Sequence, residues 1–341
     1  MGKKKVTFAD IAEYTHFSKT TVSRYFNDPD SLTLENQKKI ADALIALDYK
    51  ENKVARVLAN GRTEMVGVLV PNMQLDFFAH LLNELLSTYE EFGYKFLVFP
   101  ANDKPDVERQ YLDELLAYNI EGLIVMSHHL SSEELASFGI PVVGIEREDE
   151  HICSVNTDNE SGARQAAEKL LDCGCDVLLH INTDIEPLIP SFGRIRGFCD
   201  VCEERGAEYE LILQEWGGNF QKYYDRLAPV FEDIDDRYRG KKKGIFLAND
   251  TLASAFLHLI FRRYGKLPED YAIIGFDGSP VSSDSLIPFT TVAQDVGELA
   301  RSSMELLVCQ MNEQKKRRPK PLETPIHKLI PARLIERDTT L

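Results

Sequence analysis

Apolar residues change their spacing twice along this chain, and the changes divide it. In Val6–Asn27, Phe8, Ile11 and Ala12 recur at the i, i+3, i+4 spacing of one helical face, and Val22, Tyr25 and Phe26 repeat that spacing. His16-Phe17-Ser18 separates the two runs, with Ser18 placed to cap the second helix. Asp28-Pro29-Asp30-Ser31 reads as a loop, Thr33 as a cap, and Ile40, Leu44 and Leu47 as the inner face of a third helix. A short helical segment over Asn52–Ala59 ends at Asn60-Gly61-Arg62. Two turns of helix are marginal alone, so this segment orders only against a partner.

From Met65 the pattern becomes apolar strands alternating with helices. Val66–Val70, Phe96–Phe99, Gly122–Met126 and Val142–Ile145 are continuous apolar runs. Between them, Phe78, Leu81, Leu82, Leu85 and Leu86, and then Tyr111, Leu112, Leu115 and Leu116, form helical stripes. A second cycle starts with a helix over Ser161–Leu171 and continues through strands at Val177–Ile181, Leu211–Leu213, Gly244–Leu247 and Ala272–Phe276. Continuous apolar strands are those of a parallel sheet covered on both faces. Two such cycles predict an α/β fold with two doubly wound lobes. The highly charged stretch Tyr223–Lys243 reads as a long solvated connection on the second lobe.

The 341-residue length suits two or three domains. There is no apolar run long enough for a membrane helix and no signal-like N-terminal segment, so the expected location is the cytoplasm, without a membrane partner. Six cysteines sit at 153, 173, 175, 199, 202 and 309. Cys199-Asp-Val-Cys202 stands alone in a helical pattern and Cys173-Gly-Cys175 is too tight for zinc, so reduced buried thiols are expected, with no metal and no cofactor.

The net charge of −16 argues at first against nucleic acid. Its distribution reverses that. Residues 1–62 hold 11 lysines and arginines against 8 acids, a charge of +3, which leaves −19 for the rest. An acidic body confines a polyanion to the head. There, the exposed side of the second helix is Lys19, Thr20, Thr21, Ser23, Arg24 and Asn27, donors without a carboxylate. Periodicity alone fits a small bundle with an ordinary solvated face equally well.

The run TFADIAEYTHFSKTTVSRYFN resembles the N-terminal helix-turn-helix of the lac repressor family of bacterial regulators, chiefly through Asp10-Ile11-Ala12 and Thr21-Val22-Ser23-Arg24. The likeness continues in Thr157–Ala163, Arg194–Phe198, Ala248-Asn249-Asp250, Ile274–Asp277 and Thr290–Gln294, so it covers nearly the whole chain. It implies a three-helix head at 1–50, a hinge helix and linker at 51–62, and a periplasmic-binding-protein-like core at 63–341. In that core, lobe 1 takes about 63–160 and 294–322, and lobe 2 about 161–293 and 323–341. It also implies a homodimeric DNA-binding repressor on double-stranded operator DNA, not an enzyme. No GxSxG elbow, P-loop or HExxH is present, and no leucine heptads stand before Leu341 to build a tetramer.

Within that resemblance, Lys19, Thr20 and Arg24 read bases, Arg24 suiting guanine O6 and N7. Thr7, Ser18, Thr21, Ser23 and Asn27 contact phosphates and fix register. Asn52, Ala55 and Leu58 match hinge positions at the minor groove, where Leu58 wedges between base pairs; a plain dimer or linker contact is the alternative.

In an open α/β lobe, ligands bind beyond the carboxyl ends of the strands, and two facing lobes make a cleft of that region. Strand-end position nominates Glu146, Asn249, Asp250 and Asp277, with Asp250 also expected to cap a helix starting at Thr251. The resemblance adds Phe78, Met126, Arg194, Trp216 and Gln294, Trp216 being suited to stack on a sugar ring and Met126 suiting a place in the core equally well. A carboxylate, an arginine, an amide and an aromatic suit vicinal hydroxyls. The expected effector is a sugar or sugar derivative; a purine-like ligand or a protein coregulator remains open, and a transport-type sugar receptor would lack the head.

Overall fold

The computed structural model describes residues 6–50, 62–101, 104–147, 150–320 and 322–340. It divides into two compact units, 1–62 and 63–341.

The first unit holds α1 (Phe8–Thr15), α2 (Lys19–Asn27) and α3 (Leu34–Ala46). Each start is chemically fixed. The Asp10 carboxylate takes the Thr7 amide at 2.7 Å and its hydroxyl at 2.6 Å. Ser18 Oγ accepts from the Thr21 amide at 3.1 Å, and Thr33 Oγ1 from Asn36 at 3.3 Å. His16 ends α1 in the left-handed region at φ 58°, which turns the chain into α2. Ile11, Ala12, Val22, Ile40 and Ala43 form the core, with Phe8 stacked on Phe26 at 5.0 Å. The faces read from periodicity are those that pack.

The second unit contains two six-stranded sheets. The first runs β11-β5-β4-β3-β1-β2, with β1 Met65–Val70, β2 Lys95–Pro100, β3 Gly122–Val125, β4 Val142–Ile145, β5 Cys153–Thr157 and β11 His327–Ile330, all parallel. The second runs β12-β10-β9-β8-β6-β7, with β6 Val177–Asn182, β7 Tyr209–Leu213, β8 Lys243–Leu247, β9 Tyr271–Asp277, β10 Thr290–Ala293 and β12 Arg333–Ile335. Only β12 runs antiparallel, against β10. Alternating side chains point to opposite faces, so each strand feeds two cores. Val66, Val68 and Val70 meet Leu81 and Leu85, whereas Leu69 meets Leu112 and Leu115. In the second lobe Ile245 and Leu247 face Leu227 and Phe256, and Phe246 faces Phe198.

Two expectations change. His327–Ile330 pairs with Cys153–Thr157 in the first sheet, so 323–341 does not go to the second lobe as a block; the chain changes sheets between Ile330 and Arg333. Tyr223–Lys243 is also mostly ordered helix, Phe220–Arg237, with Tyr223, Leu227, Phe231 and Ile234 buried. The charges that suggested a solvated connection occupy that helix's outer face, where they concealed an apolar stripe.

No helix among the described residues is long and apolar enough to cross a membrane, and none of their His, Cys, Asp and Glu side chains form a group able to hold a metal ion.

Candidate functional site: an exposed helix face and an interlobe cleft

On the first unit, α2 exposes Lys19, Thr20 and Arg24 to solvent. The residues expected on phosphates are differently placed. Ser18 and Thr21 are joined hydroxyl to hydroxyl at 2.8 Å, and Asn27 Nδ2 donates to Ser23 Oγ at 3.1 Å. Thr7 spends its hydroxyl on Asp10. These bonds stiffen the ends of α2 and orient its open face. Asn52, Ala55 and Leu58 lie outside the described residues.

On the second unit, the chain crosses between lobes at Thr157–Asn159, Ala293–Val296 and Ile330–Arg333, and the polar residues gather beside these crossings. Glu146 follows β4 with φ 54° and is buried. Its carboxylate takes the Thr157 amide at 2.5 Å and Asn159 Nδ2 at 2.9 Å. Asn159 turns its oxygen to Arg194 Nε at 2.8 Å. Arg194 Nη1 reaches the Ala248 carbonyl at 2.5 Å and lies 3.8 Å from Asp277 Oδ1, with the guanidinium 3.7 Å above the Phe276 ring. Asp277, at φ 118°, accepts from Gln294 Nε2 at 2.7 Å, while Gln294 Oε1 accepts from the Thr157 hydroxyl. Two non-glycine residues with positive φ in one network mark backbone held by its surroundings, a common property of binding sites.

Burial pushes the Asp277 carboxyl up to about 7; Arg194 and the Gln294 bond oppose the rise, and Glu146 and Asp76 add to it. Asp250 is raised as well, by burial first and then by Asp277. Asp250 is not a cap. Asn249, in extended backbone, accepts from the Leu252 amide at 2.8 Å and starts the helix Asp250–Tyr264. Asp250 is fully buried, bonded to the Ser279 amide at 2.7 Å and the Thr291 hydroxyl at 2.6 Å. Gly275 has no side chain because a Cβ there would overlap Asp250 Oδ1.

Glu146, Arg194, Asp277 and Gln294 therefore come together, and Asn249 lies one residue past the Ala248 carbonyl that Arg194 holds. Phe78 is half-buried against the first-lobe core. Trp216 departs from expectation, and Met126 takes the core place that an apolar residue there suits equally well. Each is 1% exposed, Met126 within the first-lobe core and Trp216 within the second. Trp216 donates its indole N–H to the Asn182 carbonyl at 2.7 Å, and its packing leaves no ring face open for a sugar in this conformation.

Sequence reasoning missed four residues. Asn159 is the hub linking Glu146 to Arg194. Asn182 accepts from Trp216 on its carbonyl and bonds His180 with its side chain; burial lowers His180 to about 3, so the ring, packed on Phe246 and Phe198, is neutral and donates to the Phe246 carbonyl at 3.0 Å. Asn72, just after β1, donates to the Gly218 carbonyl of the other lobe at 2.7 Å, beside Leu75, which packs on the second-lobe core. Strand-end position could have nominated Asn72, Asn159 and Asn182, since each closes or follows a strand; nothing marked His180 within its apolar run.

Residues 63–216 match the family model of periplasmic binding proteins and the sugar binding domain of the LacI family, and residues 190–340 match a periplasmic binding protein-like domain. The ribose operon repressor of Halalkalibacterium halodurans is 29% identical over 336 residues, 98% of this chain and 97% of that protein. A LacI family transcriptional regulator from Enterococcus faecalis V583, solved with bound ribose, is 26% identical with a TM-score of 0.65, covering 81% of this chain and 98% of that one. The lac repressor dimer bound to operator and the anti-inducer ONPF shares the fold, with a TM-score of 0.81 over 99% of this chain and 100% of that one at 21% identity. The likeness spans head and core together, and the chain belongs to the LacI family of transcriptional regulators.

Proposed function

We propose that this protein is a sequence-specific DNA-binding repressor whose operator affinity is set by a sugar held between the lobes of its core. The observation that carries the DNA-binding half is α2, whose exposed Lys19, Thr20 and Arg24 stand in a run, Ser18–Asn27, without one acid. A helix of this kind fits a major groove, and two copies in a homodimer read the half-sites of a near-palindromic operator. Ser18, Thr21, Ser23, Asn27 and Thr7 set its register on phosphates. Asn52, Ala55 and Leu58 act at the minor groove.

The sugar half rests on the Glu146–Asn159–Arg194–Asp277–Gln294 network. Arg194 has N–H groups beyond those given to Asn159 and Ala248, and Asp277 uses Oδ1 for Gln294, so a donor and an acceptor stand side by side for hydroxyls. Asn249 and Phe78 complete the wall. The relatives point the same way: one is named for a ribose operon and another was solved with ribose. Sugar binding biases the lobe angle and so the hinge, a coupling typically worth about 1–3 kcal/mol.

The test uses an operator obtained by in vitro selection. Arg24→Ala is expected to lose about 1–3 kcal/mol of discrimination between operator and random DNA in a gel shift, with sugar-induced thermal stabilisation intact. If the variant separates the two DNAs as well as wild type does, the reading of α2 is wrong.

A further inference from the structure

The charge around the cleft constrains what enters it. Arg194 is buried facing Asp277, Glu146 and Asp250, and Asp76 adds its field at Asp277 from the first lobe. The other arginine at these strand ends, Arg147, turns away: its Nη1 and Nη2 donate to the Ser127 and Leu130 carbonyls at 2.6 Å each. Lys222, on the second-lobe side, is exposed and lays its methylenes against Gly217. The one guanidinium in the network thus already faces the Glu146 and Asp277 carboxyls before any ligand arrives.

Backbone donors tell the same story. Helix N-termini ordinarily attract anions. The helices beginning at Asp76 and Gly193 carry no side-chain cap, and the first opens on an acid, Asp76 itself. At four other amides beside the network the protein's own acceptors take an anion's place. Ser161 N–H goes to Asp158 at 3.0 Å, Leu252 N–H to Asn249 at 2.8 Å, Ser279 N–H to Asp250 at 2.7 Å and Thr157 N–H to Glu146 at 2.5 Å. A phosphate subsite needs such groups open and its basic side chains uncompensated.

Resting on the sugar reading above, we infer that the effector is an uncharged sugar or polyol and that the cleft rejects the phosphorylated or carboxylate form of the same molecule. A hydroxyl accepts from Arg194 while donating to Asp277 Oδ2, which satisfies both without adding charge. A phosphate brings negative charge into a space that holds the Asp277 carboxyl above its usual range already, by burial with Glu146 and Asp76 adding to the rise. A site built for anions would pull that group down.

The experiment is calorimetry and thermal shift on the full-length protein with matched probes: D-ribose with ribose 5-phosphate, D-glucose with glucose 6-phosphate and gluconate, D-fructose with fructose 6-phosphate, and unmodified disaccharides. At least one neutral probe is expected to bind, with its charged partner at least 100-fold weaker. Asp76→Asn is expected to narrow that ratio at least fivefold at low salt, and less at high salt. A charged partner that binds as tightly as its parent overturns the inference and leaves the sugar reading standing. If no probe of either kind stabilises the protein, the sugar reading falls and takes the inference with it. An unchanged ratio in Asp76→Asn overturns the part assigned to Asp76.

Discussion

Asn159→Ala is the most exacting perturbation of the cleft. The Asn159 side chain is 3% exposed and bonds Arg194 Nε at 2.8 Å, Glu146 Oε2 at 2.9 Å and the Thr157 carbonyl at 3.1 Å. Truncation leaves a guanidinium N–H and a carboxylate oxygen without their partner in a buried site. A hydrogen bond to a charged group is worth about 1.5–3 kcal/mol, so the two together stand for about 3–6 kcal/mol. Water admitted to the vacated volume restores part of this. The expected loss is therefore about 3 kcal/mol, read as a lower urea midpoint at unchanged slope. The only tryptophan, Trp216, sits in the second-lobe core and reports the transition by fluorescence. Sugar affinity is expected to fall at least tenfold, about 1.4 kcal/mol, because Arg194 is no longer aimed. A loss below about 1 kcal/mol with wild-type sugar affinity would refute the view that Asn159 is the hub.

Two further outcomes follow from the same region. Asp277 binds a proton more readily in the native chain, up to about 7, than an exposed aspartate does. Between pH 4 and 7 the native state holds more protons than the unfolded state, so this group's contribution to stability falls as pH rises through that window. Asp277→Asn is expected to flatten the decline, with a wild-type-minus-variant difference on the order of 4 kcal/mol across it; identical profiles from urea titrations would contradict the assignment. Asn72→Ala removes the bond to Gly218 between the lobes, worth about 1 kcal/mol, so a sugar that binds the closed form is expected to bind about fivefold more weakly by calorimetry; an affinity within twofold of wild type would show that the bond does not bias closure.

How much of this was legible depends on how local the cause is. The head was readable because its caps, turn and core face act within a few residues: Ser18 caps α2, Thr33 caps α3, and Ile11, Val22 and Ile40 pack together. The strands were readable because burial on both faces leaves uninterrupted apolar runs such as Val66–Val70. Strand-end position could place Asn159 near the cleft, but its role as hub was not readable, because it exists only where Glu146, 13 positions earlier, and Arg194, 35 later, converge. Asn249 caps the helix in place of Asp250 because either can cap a helix, and backbone conformation decides which does. The stripe Tyr223, Leu227, Phe231 and Ile234 was hidden by charged neighbours and by Pro229 within the helix. The split of β11 from β12 was beyond pattern reading, since two adjacent short strands gave no sign that they enter different sheets.

That split bears on biosynthesis. His327–Ile330 closes the first sheet against β5, and Arg333–Ile335 closes the second against β10. Until the ribosome delivers this segment, β5 and β10 are unsealed edges in otherwise complete sheets, and open edges are templates for aggregation. The two lobes are therefore finished together, within a few codons of one another. A nascent chain stalled before residue 327 carries two unpaired borders at once.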